Sequence, residues 1–186
     1  ETNITIGPAV YTNEDTIAWH FSADEEAPFF QCKFSSASSW NFCTSPKEYE
    51  LLAEGTHTFM VRAWDAANNI DATPAESTTN VDRAAPVTTI TSSPSDPSNE
   101  TDGTFEVSVQ DQPWETLPGL TSVFYCISND GTCQANEMTD QGGGSYSADY
   151  SSLAEGQWVF KAWSVDLAGN IEVQGANAEH TWNIDT

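Results

Sequence analysis

Carboxylates dominate the side chains in this sequence that could do chemistry: 28 Asp and Glu stand against 5 Lys and Arg, for a formal net charge of −23. Hard divalent cations are bound through carboxylate oxygens, so Ca²⁺ is the ion such a chain admits. Plain solubility outside the cell and attraction to a basic partner account for the same charge. No contiguous EF-hand-like loop is present. The charge argues against nucleic acid, since two polyanions repel, and against anionic membrane surfaces. His20, His57 and His180 all fall in runs of alternating polarity, and no serine stands in a Gly-x-Ser-x-Gly context. No residue is therefore assigned a catalytic role, and the chain is not expected to be an enzyme.

The cysteines are Cys32, Cys43, Cys126 and Cys133. None has the Cys-x-x-Cys spacing of a zinc or redox site. They form two close pairs, one in each half, and the simplest reading is two local disulfides made in an oxidising compartment. Asn3-Ile4-Thr5 and Asn99-Glu100-Thr101 fit the N-glycosylation pattern, which makes Asn3 and Asn99 candidate acceptors. Trp40, Trp64, Trp114, Trp158, Trp163 and Trp182 either pack in cores or supply an exposed sugar-stacking platform. No apolar run is long enough to span a bilayer, and Glu1 is not followed by a basic-then-apolar leader, as expected of a mature fragment or an excised segment.

The elements that position these groups repeat. Leu52-Ala53-Glu54-Gly55 recurs as Leu153-Ala154-Glu155-Gly156, an offset of 153 − 52 = 101. Phe59 and Phe160, Asp65 and Asp166, Asn69 and Asn170, Ile70 and Ile171 keep that offset, and Asp71 stands opposite Glu172. Asn80-Val81-Asp82 matches Asn183-Ile184-Asp185 at 103, and Cys32 is set against Cys126 at 94. Loops absorb such changes of offset. The chain is read as two copies, 1–83 and 84–186, joined by a short Asp82-Arg83-Ala84-Ala85-Pro86 segment.

Each copy reads as β. Thr16-Ile17-Ala18-Trp19-His20-Phe21, Thr56-His57-Thr58-Phe59-Met60-Val61 and Thr104-Phe105-Glu106-Val107-Ser108-Val109 alternate with period two, the mark of half-buried strands. Ile17, Trp19 and Phe21 share the core face. Leu52, Phe59 and Val61 point to the core, and the turn at Glu54-Gly55 asks for a positive φ at the glycine. About seven short strands per copy, separated by Gly, Pro, Asn and Asp clusters, predict an all-β fold of two tandem seven-strand sandwiches. A sandwich this small has no cleft of its own for a buried substrate, so paired carboxylates of glycosidase type are not expected to work here.

The run from Leu52 to Asp71, with Thr56-His57-Thr58-Phe59-Met60-Val61-Arg62-Ala63-Trp64-Asp65 at its centre, resembles the signature of prokaryotic immunoglobulin-like (fibronectin type III-like) repeats of secreted and cell-surface proteins. Phe30-Gln31-Cys32, Trp40-Asn41-Phe42-Cys43-Thr44-Ser45-Pro46 and Ala85-Pro86-Val87-Thr88-Thr89-Ile90 extend the resemblance over nearly the whole chain. The second copy departs from it: its Cys126–Cys133 segment is shorter, and an acidic, Gly-rich stretch follows. The resemblance implies an immunoglobulin-like sandwich, an extracellular location and a structural or adhesive task.

In such a sandwich the loops gather at two ends. One end of copy 1 collects Asp24, Glu25, Glu26, Asp65 and Asp71; the other collects Glu14, Asp15, Glu54 and Asp82. Copy 2 is expected to bring Asp111, Glu115, Asp166 and Glu172 toward that second end. The expected Ca²⁺ ligands are Asp82, Asp111, Asp166, Glu14 and Asp15, with turn capping as the competing role for Asp65 and Asp166. The function expected is a stalk or extender, rigidified by calcium, whose partners are further repeats of the same parent chain or neighbouring subunits. The rivals are an adhesin module recognising a carbohydrate or a protein, and a subunit of an extracellular filament that donates an edge strand.

Overall fold

The computed structural model describes residues 1–24, 29–65, 67, 69–111 and 120–186, without the side chains of residues 120 and 121. The described chain is all strand and loop, and it divides into two compact units, Glu1–Arg83 and Ala84–Thr186.

The first unit holds β1 (Thr2–Ile6), β2 (Tyr11–Thr12), β3 (Thr16–Ala23), β4 (Phe29–Phe34), β5 (Asn41–Cys43), β6 (Lys47–Glu50), β7 (Gly55–Trp64) and β8 (Ala75–Val81). They form a three-stranded sheet, β1-β3-β6, and a five-stranded sheet, β2-β8-β7-β4-β5. Alternation decides which side chains meet. Ile17, Trp19 and Phe21 from one sheet enclose a core with Cys32, Phe59, Val61 and Val81 from the other. Trp19 is fully buried and stacks on Phe59 with 4.8 Å between ring centroids. Leu52 packs at the edge of this core.

The second unit holds β9 (Val87–Ser92), β10 (Gly103–Gln110), β11 (Leu120–Ser128), β12 (Asn136–Glu137), β13 (Thr139–Gly142), β14 (Ser145–Tyr150), β15 (Gly156–Asp166) and β16 (Glu179–Ile184). Its sheets run β13-β14-β10-β9 and β12-β11-β15-β16. Phe105 on β10 lies flat on Phe160 of β15, centroids 3.9 Å apart, and Trp182 closes the core edge-on to Phe105. Gly55 (φ 114°) and Gly156 (φ 126°) both take the left-handed conformation that the repeated Glu-Gly turn requires.

Among the described residues each unit has eight strand segments, against the about seven read from the sequence. In the first, the opening strand breaks at Gly7-Pro8 into β1, which joins one sheet, and β2, which joins the other. In the second, the Gly-rich stretch folds into the extra strand β13, turned by Gly142, Gly143 and Gly144 at positive φ.

The cysteines are bonded Cys32–Cys43 and Cys126–Cys133. The equivalence of Cys32 with Cys126 does not hold. Phe34 faces Phe59 across β4–β7, and Ile127 faces Phe160 across β11–β15. Since Phe59 and Phe160 correspond, Tyr125 takes the place of Cys32, and Cys126 that of Lys33. Cys32 thus joins the core cluster of its unit, whereas Cys126, though equally buried, stands one residue out of phase and does not join the core cluster of the second.

Candidate functional site

Both units use the loop that follows their longest strand in the same way. Asp65, at the end of β7, accepts hydrogen bonds from the Ala67 and Asn69 amides at 2.8 Å and from the Asn69 side chain at 2.8 Å. The Asn69 side chain, then its amide, hold the Asp65 carboxyl below the ordinary carboxylate range. Asp166, at the end of β15, accepts from the Asn170 amide and side chain, each at 2.8 Å. Both aspartates therefore cap the turn.

The next acidic residue acts over a longer range. Asp71 Oδ2 accepts from the Thr2 amide at 2.9 Å and the Thr2 hydroxyl at 2.7 Å. Asp71 Oδ1 accepts from the Thr73 amide at 2.9 Å and its hydroxyl at 2.8 Å. The Thr2 hydroxyl in turn accepts from the Ala63 amide on β7 at 2.8 Å. These donors, led by the Thr2 hydroxyl, hold the Asp71 carboxyl at about 2 against an ordinary 3.8. Glu172 repeats the arrangement in the second unit. Its carboxylate accepts from the Thr88 amide at 3.0 Å, the Ser164 hydroxyl at 3.2 Å and the Asn177 side chain at 3.0 Å, and it is buried. The matched pair Asp71 and Glu172 are thus latches that fix the opening strand of each unit to its sandwich. Sequence reasoning placed both among the acidic end groups. Their partners lie 69 and 84 residues away, and only the recurrence of Thr at positions 2 and 88 hinted at the contact.

The expected metal ligands come from both units, Glu14, Asp15 and Asp82 from the first and Asp111 and Asp166 from the second. In the first unit Asp15 pairs with Arg83 at 3.1 Å, and the same guanidinium donates to the Leu52 carbonyl at 2.8 Å and the Glu14 carbonyl at 2.9 Å. Glu14 thus enters this cluster through its backbone. Asp82 follows β8, and its amide donates to the Thr12 carbonyl at 3.0 Å. In the second unit Asp111 and Asp166 present carboxylate oxygens within 4.8 Å of each other. Glu25, Glu26, Glu115 and Trp114 lie outside the described residues.

Two of the three histidines have structural partners. His57 Nε2 meets the Ala53 carbonyl at 2.7 Å, a contact that Trp158 Nε1 makes with the Ala154 carbonyl at 2.9 Å in the second unit. His180 packs against Phe105 and Trp182. Asn3 sits in β1 opposite Ser22, and Asn99 in the loop before β10; both are exposed.

The outer face of the five-stranded sheet carries the exposed aromatics of the first unit. Cross-strand register sets Phe29 beside Trp64, and Gln31 between Phe42 and Arg62. Phe42 stacks on Trp64 at 5.4 Å, and Arg62 and Lys33 lie over the Trp40 ring at 4.3 and 5.1 Å. Arg62 also donates to the Gln31 side chain at 2.8 and 3.0 Å. In the second unit Trp163 stacks on Phe124, and Trp182 is a core residue.

A scan of protein-family profiles gave no match, and a search of curated proteins gave none either. Among solved structures, a segment of titin matches 89% of the chain at 11% identity with a TM-score of 0.50, the chain spanning 57% of that segment. The fold is immunoglobulin-like. Fibronectin(III)-like modules of CbhA from Clostridium thermocellum match 99% of the chain and 94% of their own length, at 13% identity and TM-score 0.48. The Escherichia coli adhesin FdeC matches all of this chain and 64% of its own, at 12% identity and TM-score 0.49. No helix among the described residues is long and apolar enough to cross a membrane.

Proposed function

We propose that the chain is a non-catalytic, load-bearing stretch of an extracellular surface or secreted protein, a stalk or extender whose neighbours are further immunoglobulin-like repeats. One observation carries this reading: the opening and closing segments of each unit run parallel where they pair. In the first unit Tyr11 and Thr12 pair with Asn80 and Val81; in the second Ser98 pairs with Ile184. Tension applied to the two ends of a unit loads such parallel bonds together in shear, whereas a hairpin pulled from one end opens one bond at a time. The Asp71 and Glu172 latches add resistance at the opening strand. Two disulfides support an oxidising compartment. Single-molecule pulling of the chain is expected to give two separate, abrupt unfolding steps. Smooth extension without force peaks would refute the load-bearing role.

Calcium belongs to the same reading. Asp111 and Asp166 are the proposed protein ligands in the second unit, their oxygens being close enough to share one cation. The acidic pattern of the sequence adds Asp82, Glu14 and Asp15 to the set, and Asp15 has Arg83 as a competing partner. Millimolar Ca²⁺ is expected to raise the melting midpoint, and Asp111→Asn to abolish the rise. An unchanged midpoint would remove the ion from the account. Ligand binding by an adhesin module is a second reading, favoured by the exposed Phe29 and Phe42.

A further inference from the structure

We propose that the outer face of the β2-β8-β7-β4-β5 sheet in the first unit docks an acidic saccharide chain, a polymer containing hexuronate residues. The proposal deepens the ligand-binding reading and leaves the load-bearing one untouched. Phe29 and Phe42 are 58% and 66% exposed, although their neighbours Trp64 and Arg62 are half-covered. Aromatic rings held open in this way offer planar apolar surface to the C–H face of a pyranose. Charge selects among sugars. The chain has only 5 cationic side chains. Arg83 is held by Asp15, Lys161 pairs with Glu179, and Lys47 lies over Tyr49 on the other sheet. Lys33 and Arg62 remain, both over Trp40 on this one face, and neither has a carboxylate partner among the described residues.

The dimensions suit a chain of sugars. Phe42, Gln31 and Arg62 lie on three adjacent strands and so span about 10 Å, while Phe29 to Lys33 along β4 covers about 13 Å. A hexuronate joins a stackable ring and a carboxylate in one residue, which matches an aromatic next to a guanidinium. The carboxylate of an acidic peptide comes without that ring. At contact range the two cations act within the roughly 8 Å over which salt screens charge, so only carboxylates equally near compete with a ligand for them, among them the exposed Glu76, which stands opposite Met60 on this face.

Titration calorimetry of the full, disulfide-bonded chain with galacturonate oligomers tests this, with neutral xylo-oligosaccharides and poly-glutamate as comparison ligands. Binding is expected for the galacturonates, weakening as salt is raised. Phe42→Ala, and separately Lys33→Gln with Arg62→Gln, should each weaken it by about tenfold or more, as expected for one stacking or cation contact. Lys161→Gln in the second unit should leave it unchanged. Should the Arg62 variant unfold, Phe42→Ala alone decides, since that ring is exposed. No galacturonate binding, equal binding of xylo-oligosaccharide, equal binding of poly-glutamate, or full affinity in Phe42→Ala would each overturn the proposal.

Discussion

Removing the Glu172 side chain tests the latch quantitatively. In Glu172→Ala the buried Thr88 amide loses its acceptor, which costs about 1–3 kcal/mol. The Ser164 hydroxyl and Asn177 side chain lose a charged acceptor as well, although Ser164 keeps its contact with the Thr88 hydroxyl. The sum is about 3 kcal/mol. For a unit of this size, Ala84–Thr186, each kcal/mol moves the melting midpoint by about 4–8 °C, so the second unit should melt about 12–24 °C lower. Glu172→Gln keeps one oxygen for the Thr88 amide and should cost only about 1 kcal/mol. Differential scanning calorimetry of the oxidised chain reads both, and the transition of the first unit serves as an internal control because Phe59 and Trp19 belong to a separate core. A fall of less than about 4 °C in Glu172→Ala would refute the latch, since one orphaned buried amide alone should exceed it.

The corresponding carboxylate in the first unit gives a pH signature. The folded-state pKa of Asp71 is depressed, so its contribution is complete above the ordinary carboxylate value and lost as pH falls from about 4 to about 2. Discounted for its contact with solvent, the contribution is about 1 kcal/mol. Thermal melts should show that acid-side loss in the parent chain and a flatter profile in Asp71→Asn. Replacing Cys32 and Cys43 together by Ser should cost the first unit about 2–3 kcal/mol and leave the transition of the second in place.

Much of this was legible in the sequence. The period-two runs around Trp19, Phe59 and Phe105 mark the core faces because a half-buried strand must alternate, and the two Glu-Gly turns fall where the repeat places them. Close spacing of the cysteines pointed to local bonds. Three features were hidden for physical reasons. Strand β13 is wholly exposed, so no apolar rhythm announces it. The one-residue slip between Cys32 and Cys126 moves a side chain to the opposite face of a strand, and an offset count that only compares residue types does not register it. The latches and the Trp40–Arg62–Lys33 cluster join residues brought together only by sheet pairing. Local propensity is silent about such contacts, although the recurrence of a carboxylate at positions 71 and 172 marked the sites where one would form.

Fragments 1–83 and 84–186, produced separately and oxidised, put the two-sandwich description to its most direct trial. Each should give a dispersed amide spectrum and a single cooperative melt, because each carries both faces of its own core and its own latch. A fragment that stays unfolded until the other is added would contradict it.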